Sequence, residues 1–286
     1  MYNALLPGSD KYMSEEAKEV AAEWIVERGK LDWNAKCFGD GFADYVQNCK
    51  TASAFADADQ NMPGNIFSEV TDYEKDYMWR TILWQKWLWK VYSDKDTAME
   101  GWLITYVYGP FMSIFMEIKG TLLRMTERKV SRKSMKFDLS KWPERSDYRH
   151  DALLRMEELM LDVMIVEAKP AESIKCEDDF KKLGIVLGNN ILGMKDQFPA
   201  IKEDLVRANG IMFVGYTVHL LEARLKDGNP VLFALETFTI PKGDSTSDHK
   251  DLLHALRMFI AFAKRVRKNT KLISVRNGKI PADKKQ

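Results

Sequence analysis

The stretch LMLDVMIVEAKP, residues 159–170, decides how the rest of the chain is read. It is short, apolar and rich in β-branched residues, and Pro170 closes it, which together specify a buried strand. Side chains alternate along a strand, so Val163, Ile165, Glu167 and Lys169 share one face while Asp162 points to the other. A carboxylate and an ammonium two residues apart at the end of an apolar strand are costly to bury unless partners compensate them. A hydrated divalent cation with a phosphate would be one such partner. Mg²⁺ takes oxygen ligands at about 2.0–2.1 Å and is commonly held by one or two carboxylates plus substrate oxygens. Glu167 would supply one carboxylate, and Lys169 would orient an attacking water or stabilise charge growing on phosphorus. The plain alternative is a solvated strand end or a structural ion pair.

The second carboxylate has to come from a neighbouring strand. Asp138, in the strand-compatible segment MKFDL (135–139), is the first choice, with Asp147 and Asp151 as further options. Following the decisive strand, residues 178–196 read as a helix, with an acidic pair in the first turn and Phe180, Leu183, Leu187, Ile191 and Met194 at helical spacing. Residues 211–225 and 230–240 carry the clearest β pattern, as two strands flanking the Asp227-Gly228-Asn229 turn. A last helix from about His249 to Arg267 leads into a basic tail.

On the N-terminal side, Thr71 and Glu74 fit a capping box that starts a helix running to about Tyr92. Its aromatic residues (Tyr77, Trp79, Trp84, Trp87, Trp89, Tyr92) cover more than one face. That pattern predicts core packing on several sides, with base stacking as the alternative. Residues 102–118 mix aromatic and β-branched residues around Gly109-Pro110 and fit either helix or strand. Residues 13–29 read as a first helix and 50–66 as a loop, giving a boundary near residue 65. The whole is a mixed α/β pattern around one sheet.

The Asp138…Glu167-Ala-Lys169 arrangement resembles the PD-(D/E)XK, or restriction-endonuclease-like, superfamily, and most closely its divergent fungal members associated with mobile elements or Crinkler-type effectors. Ser68-Glu69 through Tyr73 resembles the family's helix start. Lys181-Lys182-Leu183 resembles its post-strand helix, and Gly215 to Ile240-Pro241 its closing hairpin. The likeness spans residues 66–265; Phe137 stands where the motif has proline. It implies an αβββαβ core with a mixed central sheet flanked by helices, over 66–268, with an N-terminal helical extension (1–65) and a basic tail (269–286). It further implies an Mg²⁺- or Mn²⁺-dependent nuclease in which Asp138 and Glu167 hold the metal and Lys169 completes the site. Glu69 or Glu74 would add a further acidic group.

Local charge fits a nucleic-acid partner although the net charge is only +1. Arg128, Lys129, Arg132, Lys133, Lys136 and Lys182 would draw phosphates to the site. A second basic block, from Lys264 to Lys268 and on to Lys285, would bind nucleic acid or act as a nuclear-import signal. The competing function is a non-catalytic module on the same fold that binds a protein partner through the aromatic or N-terminal helix, or holds nucleic acid without cutting it.

Three cysteines without a CxxC pair make a poor disulfide framework or zinc site, and no P-loop, GxGxxG or GxSxG is present, so no small-molecule cofactor is expected. His150, His219, His249 and His254 make no ligand pattern. The N-terminal stretch lacks the basic and apolar regions of a signal peptide, and no window approaches the roughly 20 apolar residues of a membrane span. An intracellular protein, nuclear or cytoplasmic, is the expectation.

Overall fold

The computed structural model describes residues 4–5, 71–91, 100–129, 149–170 and 176–276. The expected first helix, the 50–66 loop, Glu69, Arg132, Lys133, Lys136, Asp138 and Asp147 lie outside them. Among the described residues there are seven strands in one mixed sheet. They are β1 (Ala4–Leu5), β2 (Leu122–Lys129), β3 (Arg149–Met156), β4 (Leu161–Lys169), β5 (Arg207–Val214), β6 (Thr217–Lys226) and β7 (Asn229–Thr239), in spatial order β1-β7-β6-β5-β4-β3-β2. β4 and β5 pair in parallel, as do β1 and β7; every other neighbour is antiparallel. The main helices are α1 (Asp72–Val91), α2 (Cys176–Gln197) and α3 (Thr246–Arg276).

The capping box forms as its residues predict. The Thr71 N–H donates to Glu74 Oε2 at 3.0 Å and the Glu74 N–H to Thr71 Oγ1 at 3.2 Å. The ambiguous 102–118 segment is helical. It begins with a short α-turn (Glu100–Trp102), passes through a π-helical turn (Leu103–Tyr108) and a second α-turn (Gly109–Met112), and ends in a 3₁₀ turn (Ser113–Glu117). Pro110, which has no N–H to donate, falls where the π-helical turn gives way to the second α-turn. The segment's apolar residues, including Phe111, Met112, Ile114 and Phe115, are buried against α1 and α3.

Two faces of the sheet are covered. A Cβ on Gly210 would meet Leu187 of α2 at 2.6 Å, whereas Phe213, three residues on and so on the other face, stacks toward Phe259 of α3. α2 therefore lies on one side of β5 and α3 on the other, with the core on both. Ile165 pairs in register with Gly210, which places Ile165, Glu167 and Lys169 on the α2 face.

Two sequence expectations need correction. The apolar run 211–225 is not one strand: the chain turns at Gly215-Tyr216, with Gly215 at φ 56°, and separates β5 from β6. The last helix runs through to Arg276 with Asn269, Thr270 and Ile273 buried, so the expected tail from 269 begins inside a packed helix. The Asp227-Gly228 turn is as read, with φ 50° and 78°. Nothing lies within 4 Å of a Cβ built on Gly228. Gly228→Ala should therefore lose stability through backbone strain alone, about 1 kcal/mol in urea denaturation. No helix among the described residues is long and apolar enough to cross a membrane.

Candidate functional site

The ends of β3 and β4 bring the chemistry-bearing residues together. β4 delivers Glu167 and Lys169 beyond its buried run from Leu161 to Val166. β3, the strand RHDALLRM, runs antiparallel to it with Ala152 opposite Val166, and so sets His150 and Asp151 beside Glu167 and Ala168. The strand ends are tied from β5: the Gly215 N–H donates to the Lys169 carbonyl at 2.7 Å, and the Tyr108 hydroxyl donates to the Gly215 carbonyl. Tyr108 also stacks on Phe213 at 4.0 Å between centroids, which anchors the helical segment 100–117 to this end of the sheet.

Glu167 is 1% exposed. Lys182, from α2, donates to its Oε1 and also to the Arg149 carbonyl at 2.8 Å. His150 Nδ1 lies 2.7 Å from the same Oε1. Burial alone would raise the Glu167 carboxyl, but His150 and Lys182 outweigh it and hold it well below the usual range. Burial also pushes His150 toward its neutral form against the pull of Glu167. Lys182 is therefore the cation that balances Glu167 at neutral pH.

Asp151 accepts the Ala168 N–H at 2.7 Å. Burial, and then the charge of Glu167, push its carboxyl up to about 7, against the opposing Ala168 N–H and Lys169. Lys169 lies 3.4 Å from Glu100, at the start of the 100–117 segment. Burial disfavours its charge, but Asp151, Glu100 and Glu167 together raise its pKa. The site thus holds three carboxylates and two ammonium groups, with Asp151 the one whose charge is withheld near neutral pH.

The sequence-derived candidates divide accordingly. Glu167 and Lys169 sit where the strand reading puts them; of the proposed acidic partners on neighbouring strands, Asp151 is the one among the described residues, and it lies beside Glu167, while Asp138 and Asp147 lie outside them. Asp162, read as facing the other way, pairs with Arg155 at 2.5 Å. Glu74 is engaged in the α1 cap and lies 3.5 Å from Lys264 and 3.8 Å from Arg267 of α3, a structural role in place of the expected catalytic one. Lys182, expected to face phosphates, is turned into the Glu167 pair because a buried carboxylate demands a cation. Arg128 and Lys129 lie on β2 in register with His150 and Arg149, so their backbone borders the site. Glu100 and His150 were missed. His150 had a signal, as the immediate neighbour of Asp151, whereas Glu100 is far away in sequence and had none.

Asp151 should also reveal itself in stability. Its folded pKa lies above its unfolded value near 3.8, so its protonation favours the fold fully below that value. The contribution is lost as pH rises through about 7. Asp151→Asn keeps an acceptor for the Ala168 N–H and carries no charge. It should raise stability by on the order of 2 kcal/mol near pH 8 and change little near pH 4, as read by urea denaturation at both.

Among the described residues, no three His, Cys, Asp or Glu side chains converge to hold a metal ion. No protein-family model, curated protein or solved structure matches the chain.

Proposed function

We propose that this chain hydrolyses phosphodiester bonds of nucleic acid with the help of a divalent cation, on a restriction-endonuclease-like core. The observation that carries the reading is Asp151 placed against Glu167-Ala-Lys169 at one end of adjacent strands. The order around it supports the same reading: helix α1, the antiparallel meander β2-β3-β4, helix α2, then β5 parallel to β4. With the helical segment 100–117 set aside, this order is compatible with the αβββαβ succession that the sequence resemblance implies.

Two carboxylates fit Mg²⁺ or Mn²⁺, since such ions keep water and substrate oxygens as further ligands. Burial and then the charge of Glu167 raise Asp151, and a cation held by both carboxylates would relieve the second of these. The chemistry supplied by such a cation is Lewis-acid polarisation of a phosphoryl oxygen. In this reading Asp151 and Glu167 hold the cation. Lys169 keeps its proton among three carboxylates and would set its charge against the phosphoryl oxygens, where negative charge builds as water bonds to phosphorus and the bond to the leaving oxygen breaks. Arg128 and Lys129, with the basic stretch that follows, hold the backbone without reading sequence.

One observation favours a second reading, a non-catalytic protein- or nucleic-acid-binding module: the Glu167 carboxylate is closed in by Lys182 and His150. The two are separated by incubating wild type with labelled DNA and RNA in Mn²⁺ and then in EDTA. Cleavage that chelation stops supports the hydrolase. Intact substrate with a well-folded protein supports the binding module.

A further inference from the structure

The aromatic helix was expected to pack into the core, and half of it does. Tyr77 and Trp89 are buried, and the Trp89 indole donates to the Pro241 carbonyl at 3.2 Å. Trp79 packs against the core as well, while Trp84 and Trp87 join Tyr106 and Trp102 in a separate group of rings. Trp87 is 48% exposed and Tyr106, from the 100–117 segment, is 38% exposed. Trp84 lies between them, 5.0 Å from Trp87 and 6.2 Å from Tyr106 between centroids, with the Tyr106 ring only 5° from parallel. Trp102 continues the line, 5.5 Å from Tyr106. The Trp84 indole donates to the Tyr106 carbonyl at 2.7 Å and locks α1 to the segment.

Two further observations say what such a line of rings would take. Trp102 is two residues from Glu100, whose carboxylate lies 3.4 Å from Lys169, so the ring group begins within one helical turn of a residue of the candidate site. From Tyr77 to Val91, α1 has no acidic residue; Arg80 pairs with Asp76 in the preceding turn at 2.9 Å, while Lys86 and Lys90 flank Trp87, with Lys90 three positions on and on the same face. Trp87 and Tyr106 are the exposed rings of this group and Trp84 and Trp102 are half-buried beside them; contiguous exposed aromatic side chains mark a contact surface. Rings interspersed with cations suit an anionic polymer whose units present π-faces.

We propose that Trp102, Tyr106, Trp84 and Trp87 form a stacking track for unpaired bases, which makes single-stranded nucleic acid the substrate class of the neighbouring site. The inference takes its occupant from the phosphodiesterase reading. A duplex keeps its bases stacked on one another and offers this track only its backbone; a single strand offers each base in turn.

The test is fluorescence anisotropy in EDTA with a labelled oligothymidine, the matched duplex, and an abasic strand of equal length. The proteins compared are wild type, Trp87→Ala, Trp87→Phe and Tyr106→Ala. Wild type should bind the oligothymidine more tightly than either control. Trp87→Ala and Tyr106→Ala should each weaken it roughly tenfold, with the salt dependence unchanged because phosphate contacts remain. Trp87→Phe, which keeps a ring, should stay close to wild type. Equal binding of the abasic strand, or no loss in Trp87→Ala, overturns the track. So does a dimer of the wild type, seen in sedimentation, that Trp87→Ala dissociates, because the rings would then belong to a second copy. If wild type still cleaves in Mn²⁺ in those cases, the hydrolase reading stands without the track. If wild type neither binds nor cleaves any strand, the reading beneath it fails as well.

Discussion

Glu222→Gln is expected to destabilise the protein by about 3–5 kcal/mol, the cost of leaving buried charge without its partner. Glu222, on β6, is fully buried and takes hydrogen bonds from three guanidinium groups. Arg207 of β5 donates to its Oε1 at 2.7 Å, Arg224 donates to the same oxygen, and Arg265 of α3 donates to both oxygens. One carboxylate therefore joins two strands and a helix. Burial alone would raise its pKa, but the arginines outweigh burial and hold it at about 2. That folded value lies below the unfolded one, so the contribution is complete above about 4.5 and is lost as pH falls toward about 2. Urea denaturation of wild type should therefore weaken across that window, and Glu222→Gln should weaken less. A variant as stable as wild type near pH 7 would mean that the arginines reach water without the glutamate.

The second large effect is on turnover. Lys169→Ala is expected to lower the cleavage rate by about 10²–10³, the usual loss when one charge stabiliser of a transition state is removed. Its fold should survive, since Lys169 is partly exposed and its ion pair with Glu100 is a loose 3.4 Å. Asp151→Asn should lose as much and, near pH 8, gain stability, a combination that a merely structural residue would not give. Glu167→Gln is the less informative change. It removes the charge that Lys182 balances and so lowers stability together with activity. Losses in these three variants should not add, because the residues act as a unit. Single-turnover rates with saturating Mn²⁺ provide the check.

What was legible in the sequence was what is local. The apolar run ending in Glu167 and Lys169, the Thr71–Glu74 box, the helix after the strand and the Asp227-Gly228 turn each carry their signal within a few residues, and each is present in the structure. The β5–β6 boundary was hidden because its turn, Gly215-Tyr216, interrupts an apolar run with only one turn-forming residue. β3 was missed because RHDALLRM is short and charged at both ends. Its buried face is apparent only when β2 and β4 are set beside it. For the same reason the choice among Asp138, Asp147 and Asp151 could not be made from spacing. It depends on register between strands; among the described residues that register places Asp151 against Ala168, and Asp138 and Asp147 lie outside them. Glu100 lies 69 positions from Lys169 and is joined to it only through tertiary packing.

The most direct test of the account is cleavage of labelled single- and double-stranded DNA and RNA in Mg²⁺ and in Mn²⁺. Wild type, Asp151→Asn, Lys169→Ala and Asp138→Ala would be run side by side, with EDTA as the control. The account predicts metal-dependent cleavage by wild type and Asp138→Ala, with single strands preferred, and its loss in Asp151→Asn and Lys169→Ala. Cleavage that both of those variants retain, or no cleavage by folded wild type, would contradict it.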